Sequence, residues 1–237
     1  MFKQYLKPLL IAGCSLLMLA GCGNQTATTT TTATTAASSN PLEGKWEQID
    51  FRSSLERAFG YDDSYESPEK LIFADAFKDV IPTLTITGND AVYEFTTTTN
   101  VAFGNYYDYL KGKKPTSVEG SKEEYIKEQY NNLKRYLGAY TKAKGVLSAE
   151  FNDEKYEIHQ TLKGIKINES DGTMEFQQAI KFIELVTFSG KRASEAVAYR
   201  YSIEDGILTL FLEQKQKFDN GDVVTLYYTM RFKKVAE

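Results

Sequence analysis

Few side chains in these 237 residues could do chemistry, and their spacing narrows what that chemistry can be. Past residue 22 there is no cysteine, so the folded part can build no disulfide, zinc–thiolate site or cysteine nucleophile. The lone histidine, His159, has no second histidine to share a metal with; beside polar strand neighbours it reads as a surface or lining residue. No Gly-x-Ser-x-Gly, His-Glu-x-x-His or phosphate-cradling glycine loop is present, and Ser189-Gly190 has no base beside it in sequence. The acidic stretches Tyr61 to Glu66 (YDDSYE) and Asp219 to Asp222 (DNGD) could face a cation, yet each reads more simply as a solvated turn. Glu123 and Glu124 open a helical segment, where the helix dipole accounts for them without catalysis. No enzyme, metal or cofactor is therefore expected. The aromatic residues are the ones to follow. Tyr93 and Phe95 alternate as strand core, and Phe103 follows them. Tyr106, Tyr107 and Tyr109, in a stretch without clear periodicity, are the candidate rim for a ligand or partner.

Cys22 stands apart because of what precedes it. Lys3 and Lys7 make a positive start, and Pro8 to Ala20 is an uncharged apolar stretch too short to span about 30 Å of hydrocarbon. The following Leu19-Ala20-Gly21-Cys22 resembles the lipobox of bacterial lipoproteins. That resemblance implies cleavage after Gly21, with the Cys22 thiol carrying diacylglycerol as a thioether. Residues 1–21 are then a signal peptide, and the mature protein sits on the extracytoplasmic face of a cell membrane. Ile11-Ala12-Gly13-Cys14 has the same residue types, but a cut there leaves too little apolar sequence before it; an ordinary secretory signal cut near Ala20 would leave Cys22 free. Two or more acyl chains on Cys22 would hold the protein stably, at roughly 0.8 kcal/mol per buried methylene.

Residues 22–40 follow as a tether. From Gly23 to Leu42 there is no charge, and Thr26 to Ser39 contains only Thr, Ala and Ser, too little apolar surface to offset the entropy of ordering. A stalk so rich in Thr suits a Gram-positive surface, glycosylated or not. The domain is expected over 41–237. Sixteen Tyr and fourteen Phe favour strands. The formal charge of −4, about −6 without Lys3 and Lys7, gives no basic footprint for nucleic acid.

The coarse pattern is a strand over 44–51, a turn of helix around Leu55, and a helix over about 68–79 behind Ser67-Pro68. A hairpin spans 82–87 and 91–103, and 112–120 reads as a basic loop. The longest helical signal is 121–140, where Ile126, Tyr130, Leu133, Leu137 and Tyr140 recur every three or four residues. Strands over 145–151, 155–167, 173–188, 198–204, 207–218 and 223–235 follow, joined by turn sequences such as Asp205-Gly206. In the last, Val224, Leu226, Tyr228, Met230 and Phe232 form one apolar row. Nine strands in a meander leave edges unless the sheet closes, so a mainly β, antiparallel up-and-down barrel with two accessory helices is expected.

Gly44-Lys45-Trp46, opening the first strand, resembles the Gly-x-Trp signature of the lipocalin superfamily. Tyr201-x-Ile203-x-x-Gly206-x-Leu208-Thr209-Leu210 resembles the penultimate hairpin of bacterial lipocalin-like lipoproteins. The likeness implies a lipocalin-like barrel with Trp46 at its floor and an arginine of the last strand over it. Arg231 is the arginine available there, paired with the indole as cation and π-face. It also implies non-catalytic binding of a small apolar or amphipathic molecule inside the barrel. No second or third lipocalin motif is evident, and the 121–140 helix falls mid-barrel. The alternative is therefore a barrel filled by its own Tyr and Phe, serving as an adhesin or accessory module for an envelope or host protein.

Overall fold

The computed structural model describes residues 40–59, 72, 75–113, 116, 118–183, 186–187, 195–217 and 221–236. The expected signal peptide with its lipobox, the tether up to residue 39, the YDDSYE stretch, Ser189-Gly190 and the first half of DNGD lie outside them. So does most of the expected 68–79 helix, of which Ile72, Asp75 and Ala76 are described as helical.

Alternation of apolar and polar residues builds the strands, and turn chemistry joins them. In chain order they are β1 (Gly44–Gln48), β2 (Thr83–Thr87), β3 (Asp90–Thr98), β4 (Leu147–Asn152), β5 (Glu157–Asn168), β6 (Thr173–Phe176), β7 (Lys181–Ile183), β8 (Val186–Thr187), β9 (Val197–Glu204), β10 (Ile207–Lys217) and β11 (Val223–Lys234). The β9–β10 link is the expected tight turn. Asp205 (φ 52°) and Gly206 (φ 74°) both adopt the left-handed backbone that a two-residue hairpin needs.

Eight strands close into an antiparallel barrel in the order β1, β2, β3, β5, β6, β9, β10, β11, with β11 returning to β1. Chain order and ring order agree, so the meander is the up-and-down barrel that the sequence suggests. Among the described residues, β7 and β8 pair only with each other, and β4 lies along β5, outside the ring. A bulge lets β5 serve two neighbours on one flank. Its pairing with β3 slips between Ala91 and Tyr93, opposite Gly164 (φ 72°); before the bulge β5 carries β4 on its flank, and after it carries β6.

Three helices complete the described structure: α1 (Phe51–Phe59), α2 (Asn100–Lys113) and α3 (Lys122–Lys144). The long helix meets the expectation. Ser121 and Glu124 form a capping box, Gly145 (φ 67°) ends it, and the Ser121 N–H holds the Glu124 carboxyl below its ordinary range. Tyr130, Leu133 and Leu137 bury one face against Ile158 of β5. The second helix corrects the expected pattern, which ran a strand to Phe103 and left 104–111 unassigned. Beyond the end of β3 the Thr99 carbonyl accepts the Phe103 N–H, and the chain coils. Tertiary packing outweighs the strand preference of these aromatics: Ala102 enters the main core, and Gly104 sits where a Cβ would meet the Lys122 side chain at 2.9 Å.

Candidate functional site

One end of the barrel is a tied floor. Trp46 is 1% exposed and donates its indole N–H to the Leu42 carbonyl at 2.8 Å. Asn40 reaches Glu169 in the β5–β6 turn, and Glu43 accepts the Gly88 N–H of the β2–β3 turn, so the incoming chain is strapped across this end. The cation over the indole is Lys234, 5.4 Å from the ring centroid and directly opposite Trp46 in register. Arg231 does not fill that place. Phe232 and Met230 point inward on either side of it, so the pleat turns the Arg231 side chain to the exposed face.

The lumen is occupied by rings. Tyr93 of β3 lies 6.3 Å from Phe232 of β11 and 6.5 Å from Phe176 of β6, and Phe176 lies 5.1 Å from Tyr199 of β9. Strands that are not neighbours on the wall thus meet through their side chains at the centre. The inward row expected in the last strand is seen at Tyr228, Met230 and Phe232. At the far end Phe51 and Leu55 of α1 join the same core. A polar chain fixes that lid: Tyr93 Oη donates to Gln48 Oε1 (2.8 Å), Gln48 Nε2 to Asp50 Oδ1 (3.1 Å) and Ser54 Oγ (3.2 Å), and Ser54 Oγ to the Thr229 carbonyl (3.2 Å). Burial pushes the Tyr93 phenol well above its ordinary pKa, with Tyr199 and Asp50 adding to the effect, so it serves as a neutral donor.

The expected tyrosine rim is spread along α2. Tyr107 packs against Tyr125 of α3 and donates to the Gly120 carbonyl, which makes it a brace of the helix hairpin. Tyr106 and Tyr109 stack on each other at 6.3 Å.

The site that the sequence did not reveal lies on the outer wall. A groove of about 570 Å³ runs between the outward faces of β1, β2, β3 and β5 and the segment 76–81. Its polar wall centres on His159. One ring nitrogen lies 2.9 Å from Thr96 Oγ1, the other 3.2 Å from Thr161 Oγ1 and 3.8 Å from Glu94 Oε1. Its other wall is apolar, with Phe77, Val80, Ile81 and Val101. An adjoining hollow of about 320 Å³, from Gln48 to Ser53, shares Val80 and Ile81 with it. Ile49, Ile81 and Val101, each at least half exposed, rim these two hollows. The outward alternation Glu94-x-Thr96-x-Thr98 was legible; the segment that roofs it lies some 15 residues away in sequence. Among the described residues no group of three His, Cys, Asp or Glu side chains could hold a metal, and no helix is long and apolar enough to cross a membrane. No protein-family model, curated protein or solved structure matches this chain.

Proposed function

We propose that this is a non-catalytic lipoprotein of the cell envelope, held by lipid on Cys22, whose barrel is a filled scaffold that docks another envelope or host protein on its outer wall. The observation that carries the reading is the pairing of a lumen crowded by Tyr93, Phe176, Tyr199 and Phe232 with a rimmed groove outside it. Exposed apolar side chains gathered around a hollow are what an interface needs, whereas scattered ones need no explanation. A groove of this size also supports a second reading, in which a small amphipathic molecule binds at the wall, its apolar part on Val80 and Ile81 and its polar part at His159.

Photocrosslinking from Ile81 in the full chain, in its native membrane, tests this. The expected product is a discrete protein adduct that is lost when Val101→Asp is introduced, with unfolding unchanged to within about 0.5 kcal/mol, as for other surface substitutions. A co-purifying small molecule in place of a protein adduct would move the assignment to the second reading. A ligand retained by the Val101→Asp protein and lost on substitution inside the barrel would overturn both.

A further inference from the structure

The barrel carries another outward surface, on strands that do not line the His159 groove. On the three-stranded face of β9, β10 and β11, Phe211 and Tyr227 stand side by side, ring centroids 5.8 Å apart and 23° from parallel. Tyr227 is 57% exposed. Arg200 lies directly across from Phe211 on β9, and Arg231 lies across from Thr209 on β11, one outward row away. Both arginines are exposed, and among the described residues neither side chain is engaged in an ion pair. From strand spacing their Cα atoms are about 12 Å apart, with Phe211 beside the line that joins them. Thr209, Thr225, Thr229 and Ser202 set hydroxyls around the rings.

We infer that this face binds an acidic polysaccharide. The C–H face of a pyranose ring packs on aromatic carbon, which a neutral, edge-hydroxylated ring can exploit without concavity. Guanidinium groups recognise carboxylate or phosphate through paired hydrogen bonds, and these two stand exposed on a chain whose net charge is negative. The face is an open barrel wall, which suits an extended polymer. An exposed aromatic pair alone would fit many partners; arginines at its border select an anionic one. Glu213, opposite Tyr227, is placed to accept sugar hydroxyls and marks the end of the face away from the arginines.

Affinity electrophoresis of the full chain in detergent, through gels carrying one polymer each, tests the inference. The acidic arms are polygalacturonate for carboxylate and a phosphomannan for phosphate; the controls are neutral dextran, polyglutamate and a single-stranded oligonucleotide. Expected is retardation by at least one acidic polysaccharide, weakened about fivefold by Tyr227→Ala, as for the loss of one aromatic contact. Arg200→Gln should weaken it about tenfold, as for the loss of a charge-assisted pair. Which acidic arm retards identifies the anionic group. No retardation by either arm overturns the inference. So does equal retardation by dextran, which removes the arginines' role, or by polyglutamate or the oligonucleotide, which removes the sugar's.

Discussion

Lys234 holds its ammonium 5.4 Å from the centre of the Trp46 ring, from the position directly opposite on the neighbouring strand. The floor of the barrel therefore depends on an indole and a lysine, and the last-strand arginine stands outside. Trp46→Ala should cost about 3–5 kcal/mol, as expected for a fully buried aromatic. Lys234→Ala should cost about 0.5–1 kcal/mol, the range for an exposed cation over a ring. Arg231→Ala should stay within about 0.5 kcal/mol of wild type. Urea unfolding monitored by far-ultraviolet circular dichroism orders the three; an Arg231 effect larger than that of Lys234 would contradict the register.

Alkaline pH should loosen the fold through its tyrosines. Tyr93 is raised well above 10 by burial, and Tyr125 is pushed up to about 12, mainly by burial. A phenol whose folded pKa lies above its unfolded value keeps its proton longer when folded. Its stabilising effect is thus complete below about pH 10 and is lost as pH rises beyond it, because the unfolded chain ionises first. Tyr93→Phe should flatten this decline. At neutral pH the same change should cost about 1–3 kcal/mol by leaving the buried Gln48 carbonyl without its donor. Melting temperatures from pH 7 to 11 for both proteins give the comparison, and identical slopes would contradict it.

Gln160 offers a gain in stability. Its side chain is 1% exposed, and among the described residues neither amide atom has a hydrogen-bond partner. Burying an unpaired amide is costly, so Gln160→Met, similar in volume and apolar, should stabilise the protein by about 1–2 kcal/mol. A lower urea midpoint in the variant would show that the amide is satisfied in solution.

The proposed lipid anchor rests on one sulfur, that of Cys22. Cys22→Ala should leave the chain in the medium or as an unprocessed precursor, with no incorporation of labelled fatty acid. Incorporation equal to that of wild type would sink the assignment of Cys22.

Much of the wall could be read directly from the chain. Period-two alternation from Tyr227 to Phe232 fixes which of those side chains face inward, and Asp205-Gly206 fixes a hairpin, because both are local consequences of pleat and backbone. The recurrence of Ile126, Tyr130, Leu133 and Leu137 announced the long helix for the same reason. The α2 helix was not legible, since Ala102 and Gly104 matter only through what packs on them from elsewhere. The groove was hidden likewise: His159, Glu94 and Thr96 are polar strand residues until β3 pairs with β5 and residues 76–81 cross over them.

Composition and local pattern by themselves determined a strand-rich chain, the meander order and the inward rows. Tertiary structure alone decided that Tyr93 meets Phe232 across the lumen, that Lys234 rather than Arg231 lies over Trp46, and that open hollows lie on the outside. The division is physical. Alternation sets which face a side chain takes, while the partner it meets depends on ring closure and register between strands distant in sequence, and no local window contains these.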